Sequence, residues 1–218
     1  MEWHVTDAQN LASIDREIGG FLALKRSSDD TSGHQDSHFS PSEYEIVRRV
    51  IYATGDFEYQ SLIKFSDRAL QASAAALASR STVIVDDAKV QAGIAEEVQR
   101  TFANPVYCAI EAQTRPQKDK TRVAWGMETL ARRYPEGIFV VGQAITPLTT
   151  LLNLVKEEAI RPVLIIATPP KFSNIDSLKQ SLEEFAIPNI TITSRKGGAT
   201  VAAAILDGLV DLAWEAYG

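Results

Sequence analysis

The chain has 218 residues, 45% of them hydrophobic and 23% charged, with a net charge of −6. That length suffices for one sizeable core and requires no second domain, and the negative balance argues against nucleic acid or an anionic membrane as the main partner. No run approaches the roughly 20 apolar residues of a membrane span, the opening MEWHVTDAQN has no signal-peptide pattern, and Cys108 is the only cysteine, which excludes an intrachain disulfide and fits a cytoplasmic protein.

Residues 7–22 place Leu11, Ile14, Ile18, Phe21 and Leu22 close to helical spacing and predict a first helix. Residues 25–38, KRSSDDTSGHQDSH, are almost devoid of apolar side chains and read as a solvated loop. His34 and His38 lie in it, but a metal site needs a third ligand and none is evident, so no metal is expected. A second helix starts at Ser40, with Pro41 suited to the first helical position and Glu43 completing a capping box; Gly55 is its natural stop. Residues 60–79 read as a third helix, alanine-rich towards its end.

Five short runs then read as buried strands: Thr82–Asp86, Val106–Ile110, Ile138–Gly142, Val163–Ala167 and Ile190–Ser194. Each is apolar or β-branched without clean alternation, as in a parallel sheet covered on both faces. Helical segments at about 87–101, 121–134, 146–158, 174–186 and 198–216 follow them. The alternation predicts an α/β fold: a single doubly wound domain over 1–218, its sheet mostly parallel with about five strands and helices on both faces.

Ligands of such sheets bind at the carboxyl ends of the strands. Those ends collect Asp86, Asp87 and Lys89; Glu111 to Arg115; Gly142 to Thr146; Thr168 to Lys171; and Ser194 to Gly198. Arg and Lys gathered there in an acidic chain suit a polycarboxylate ligand, because a guanidinium clamps a carboxylate bidentately. The turn Arg195-Lys196-Gly197-Gly198 leads into a helix and reads equally as an anion site or as a tight strand-to-helix connection. Thr146 before Pro147 reads as a helix cap, as does Thr121, while Arg122 faces either solvent or the cleft. No GxSxG elbow, HExxH motif or cysteine with an adjacent base is present.

The segment Phe39 to Tyr59, FSPSEYEIVRRVIYATGDFEY, resembles the signature of the precorrin-8X methylmutases: a Phe-Ser cap, a helix ending Arg-x-x-His, then Ala-x-Gly-x-x-Glu. Ser40, Arg49, Ala53, Gly55 and Glu58 keep their places, and Tyr52 stands where that family carries its catalytic histidine. Further matches are Asp86 and Gly93, Thr121-Arg122, Gly142-x-Ala144-x-Thr146, the turn at Pro169 to Phe172, and Arg195-x-Gly197-Gly198. The likeness runs from about residue 7 to the C-terminus, with 25–38 as a polar insertion. Departures fall at Tyr52, Lys89, Gln143, Ile145, Lys171, Ala199 and Asp207, an altered pocket on a kept fold.

The resemblance implies a homodimeric, cofactor-free isomerase that moves a methyl group from C-11 to C-12 of a corrin precursor. By the same resemblance Tyr52 is the catalytic hydrogen-bond donor. The polycarboxylate tetrapyrrole is then held by Ser13, Arg49, Asp86, Lys89, Arg122, Gln143, Thr146, Lys171, Arg195, Lys196, Gly197 and Gly198. A second expectation is a tetrapyrrole-holding protein that keeps the pocket without turnover. A third, a nucleotide-binding α/β enzyme, has only the Gly197-Gly198 turn and the fold class behind it.

Overall fold

The computed structural model describes residues 5–28, 39–115, 118–170, 181–182 and 184–218. In chain order the elements are α1 (Val5–Ser28), α2 (Pro41–Thr54), the single turn α3 (Tyr59–Leu62), β1 (Ile63–Phe65), α4 (Ala69–Ala78), β2 (Val83–Val85) and α5 (Ala88–Arg100). There follow β3 (Val106–Cys108), a 3₁₀ turn (Ala109–Glu111), α6 (Arg122–Arg133), β4 (Ile138–Val141), α7 (Ile145–Lys156), β5 (Leu164–Ala167), β6 (Asn189–Ile192) and α8 (Ala199–Tyr217).

The strands form one sheet in the order β1-β6-β5-β4-β2-β3. β6, β5, β4, β2 and β3 are parallel, and β1 alone runs antiparallel, with Ile63 opposite Ile192. Alternate side chains of each strand point to opposite faces, and both faces are apolar. Val83, Val85, Val140 and Ile166 join the core shared with α4, α5 and α8; Ile84, Phe139, Val141 and Ile165 join that of α6 and α7. That is why these runs lack alternation, and the expected α/β architecture with helices on both faces holds.

Among the described residues the sheet has six strands where about five were expected. β1 lies inside the stretch expected to be helix 60–79, and the chain re-enters a helix only at Ala69, after Arg68 takes a left-handed φ of 65°. Three residues are too few to show a period, and what makes them a strand is pairing with β6. Lys64 is exposed on this outer strand, where a charge guards an open edge. The strand expected to reach Ile110 stops at Cys108, because the chain turns to meet α6. Gly126 lets the backbone of Ala109 approach so closely that a Cβ there would overlap its carbonyl. Residues 25–28 of the expected loop belong to α1, while 29–38 and most of the expected helix 174–186 lie outside the described residues.

α2 has the expected capping box, with the Ser40 hydroxyl accepting from Glu43 N and the Glu43 carboxylate accepting from Ser40 N, and Gly55 ends it with a φ of 67°. Its buried side, Ile46, Val47, Val50 and Ile51, packs on α8. α1 lies antiparallel against α2, tied at two points eight residues apart on each helix. Tyr52 donates to Asp7 (2.6 Å), and Tyr44 (2.7 Å) and Arg48 (3.1 Å) donate to Asp15.

A charged cluster lies where α2, α5 and α8 meet, with Asp211 buried and Arg100 at its exposed margin. Arg49 pairs with Glu45 and with Asp211, and Arg100 binds Glu97. Burial pushes Asp211 up to about 6, and the proton it holds is shared towards Glu97. Burial pushes Glu97 up as well, but the hydrogen bonds from Asp211 and Arg100 outweigh it and leave it below the ordinary value. Asp207 is raised furthest, to about 7, by burial and then by the Glu97 charge, and its Oδ1 has no hydrogen-bond partner among the described residues. A carboxyl raised in this way is stable in the folded protein while protonated. Its contribution is full below the ordinary carboxylate value and is lost as pH rises through about 7. Asp207→Asn therefore raises the melting temperature at about pH 8 and flattens its decline from about pH 5, as read by calorimetry across that range.

Candidate functional site

From β2 the chain passes outward to β3 and then returns to β4 on the other side of β2. The crevice for a ligand opens at such a reversal, outside the carboxyl ends of the two diverging strands. Asp86 closes β2 there. Its carboxylate is fully buried and accepts three successive backbone N–H groups from the β4–α7 connection: Gly142 (2.9 Å), Gln143 (2.8 Å) and Ala144 (3.1 Å). Burial raises its pKa, and the three N–H groups oppose the rise. Asp86, expected to touch substrate, instead faces inward with both oxygens engaged.

The cap expected at Thr146 is also displaced. α7 starts at Ile145 with Ala144 as its N-cap and no side-chain cap bond. Thr146 sits one position inside the helix, where its hydroxyl lies 3.0 Å from that of Thr121. Thr121 does cap α6, accepting from Ala124 N at 3.2 Å. The two hydroxyls thus join the approaches to α6 and α7, with Gln143 exposed beside them.

At the β6 side, Gly197 (φ 152°) and Gly198 (φ 120°) make the turn into α8. Gly198 N donates to Thr168 O at 2.7 Å, and the Thr168 hydroxyl donates to Gly198 O at 3.2 Å. A Cβ on Gly197 would overlap the Thr168 carbonyl. Of the two readings of these glycines, the close strand-to-helix connection is the one observed.

The cations stand where helix dipoles least favour them. Lys89 is the second residue of α5, Arg122 the first of α6, and Arg195 and Lys196 directly precede the turn into α8. Acidic residues are the usual choice at helix N-termini, and α1 and α2 have them in Asp7 and Glu43. The first turns of α5, α6, α7 and α8 have none, leaving only the capping Asp87 before α5. Lys89, Arg122 and Arg195 are exposed and their side chains make no ion pair among the described residues. Lys196 is held by Asp56 (2.5 Å) and Glu58 (3.0 Å), which raise its pKa while it lowers that of Asp56. This pairing ties the loop after α2 to the β6–α8 connection. The hydroxyl of Tyr52 is directed at Asp7, and that bond raises its pKa.

Two residues expected to contact the ligand are engaged within the chain itself. Arg49 does not reach the strand ends, because its guanidinium is half-buried against α8 and paired with Glu45 and Asp211. Ser13 lies on the exposed side of α1, bonded within that helix to Gln9 O and Arg16. Lys171 lies outside the described residues. Asp7, Asp56 and Thr121 were not among the expected site residues. Only spatial pairing, as between Lys196 and Asp56 across 140 positions, reveals them. Among the described residues no three His, Cys, Asp or Glu side chains group as a metal site requires.

The chain is thus a doubly wound α/β protein with exposed cations at the helix starts beside its strand-end crevice. A model of the precorrin-8X methylmutase family matches residues 25–212, and the chain belongs to that family. It is 32% identical over 221 residues to a cobalt-precorrin-8 methylmutase of Synechocystis sp., covering 95% of this chain and 94% of the relative. It is 31% identical over 206 residues to one of Methanocaldococcus jannaschii, covering 94% and 93%. The crystal structure of a precorrin-8X methyl mutase from Thermus thermophilus superposes with a TM-score of 0.79 at 28% identity, over 99% of this chain and 100% of that one.

The geometry at Gly197 yields a stability prediction. Gly197→Ala must strain the backbone or part the β5–β6 ends, and it lowers unfolding free energy by about 1–3 kcal/mol in denaturant titrations.

Proposed function

We propose that this chain is an isomerase of cobalamin biosynthesis, moving a methyl group from C-11 to C-12 of precorrin-8X or of its cobalt form. The observation that carries the substrate class is the set of exposed cations at the starts of α5, α6 and α8, which have no acid in the first turn and, at α5, only the capping Asp87 before it. Placed against the helix dipoles, Lys89, Arg122 and Arg195 destabilise the free protein, and a bound polycarboxylate reverses that cost by meeting both the cations and the N–H ends.

The rearrangement is internal to the substrate, so the protein need supply no nucleophile and no redox step. It has to hold the macrocycle, orient the migrating group and fix the protonation state of the ring. Acetate and propionate groups are taken by Lys89, Arg122 and Arg195, and by Lys196 in exchange for Asp56 and Glu58. Tyr52, kept protonated by its raised pKa, has one O–H to offer. In the free protein that O–H rests on Asp7, and in the complex it turns to the corrin ring. A homodimer belongs to the same reading, supported by β3. Among the described residues that strand ends the sheet with no strand on its outer side, and it leaves Tyr107, stacked on Tyr134, exposed. A cytoplasmic setting is proposed with it, on the single reduced thiol of Cys108.

Single-turnover absorption with precorrin-8X tests the reading on the wild type, Tyr52→Phe and Tyr52→His. The wild type converts its substrate, and Tyr52→Phe slows conversion by about 10²-fold, the lower end of what a positioned acid supplies. A spectral shift that stops at one equivalent, with conversion restored in Tyr52→His, replaces turnover by tetrapyrrole holding. Arg122→Ala weakens binding by about tenfold or more without loss of melting temperature, as expected for one charge-assisted contact at an exposed position. Spectral titration and thermal unfolding check it together.

A further inference from the structure

Asp86 is the best-connected side chain at the crevice and the least accessible to a ligand. It is wholly buried, its Oδ1 accepts from Gly142 N, and its Oδ2 accepts from both Gln143 N and Ala144 N. Its own N–H donates to Val140 O at 3.0 Å, so backbone and side chain alike bind the end of β4. Three N–H groups converging on the two oxygens of one desolvated carboxyl group make directional bonds. The segment they hold has no other anchor of this kind: Ala144 provides no side-chain cap and the first turn of α7 has no acid. What that segment turns outward is the exposed side chain of Gln143, followed by the N–H groups of Ile145 and Thr146, Pro147 having none.

We propose that Asp86 is a positioning residue of the methylmutase site, which touches no ligand and acts through the Gly142–Ala144 backbone to fix where Gln143 and the start of α7 meet the tetrapyrrole. This rests on the strand-end site proposed above. An amide at position 86 keeps one acceptor oxygen and turns an N–H donor towards an N–H donor, so Asp86→Asn releases part of the segment while preserving side-chain volume.

Two measurements test it. The first is backbone amide exchange of ligand-free wild type before and after adding cobyrinic acid, a corrin polycarboxylate. A prepositioned segment protects Gly142, Gln143 and Ala144 already in the free protein, and the ligand changes them little. Free exchange that becomes protected only with ligand overturns the proposal, and this arm requires neither a stable variant nor turnover. The second is a double-mutant cycle of Asp86→Asn with Gln143→Ala, followed by exchange, melting temperature, kcat and KM with precorrin-8X. Asp86→Asn is expected to speed exchange at 142–144 by about tenfold and to lower kcat more than it raises KM. The double variant loses no more activity than Asp86→Asn alone. Independent, additive losses, or losses that follow melting temperature, assign Asp86 to the scaffold only. A wild type that binds but never converts refutes the isomerase reading, leaving the exchange result to decide on Asp86.

Discussion

A helix that is apolar nearly all round is stable only between other layers, and α8 is such a helix. From Ala199 to Ala213 almost every side chain is buried, including four consecutive small or branched residues, Val201 to Ala204. One side of α8 covers the sheet alongside α4 and α5, and another receives Ile46, Val47, Val50 and Ile51 of α2. The N-terminal helices therefore have no direct hold on the sheet's centre. They depend on α8, and the buried Arg49–Asp211 pair sits in that second contact. A buried ion pair contributes little net stability but penalises every arrangement that leaves one partner alone. It accordingly fixes how α2 seats on α8, and with it where the end of α2 meets the β6–α8 turn.

The same layering separates two electrical tasks. On the α2–α5–α8 side Arg49 and Arg100 are paired with Glu45, Asp211 and Glu97, and the remaining acid, Asp207, is raised by burial and by the Glu97 charge. At the carboxyl edge Lys89, Arg122 and Arg195 make no ion pair among the described residues, while Lys196 is held by Asp56 and Glu58 from the loop after α2. A chain with net charge −6 thus places Lys89, Arg122 and Arg195, exposed cations, after the carboxyl ends of β2, β3 and β6. Field from helix ends and side chains adds in that crevice, where low-dielectric walls limit screening.

Much of this was legible beforehand, for identifiable reasons. β2, β4 and β5 are continuous apolar runs because both faces are covered, and such runs announce themselves. The Ser40–Glu43 box and Gly55 bound α2 by local chemistry alone. β1 was not legible, since Ile63-Lys64-Phe65 becomes a strand only by pairing with residues near 190. Arg49 shows the limit of motif reasoning: its spacing places it on a helix, but only packing tells that it turns to Asp211 and not to the crevice. Asp86 and Thr146 lie at the right strand ends, yet what each side chain meets, three backbone N–H groups in one case and the Thr121 hydroxyl in the other, has no trace in the local sequence.

The outer pairing of β1 with β6 also sets an order of assembly during synthesis. Ile63 waits for Ile192, a separation of 192 − 63 = 129 residues. At about 5–20 residues per second on the ribosome, that is roughly 6–26 s in which β1 and the apolar side of α2 have emerged while their partners have not. Contacts of such long range are also slow to form after release. The nascent chain consequently carries an unpaired edge and an uncovered helix face through most of its translation. Only when α8, the last element made, arrives is that helix face covered.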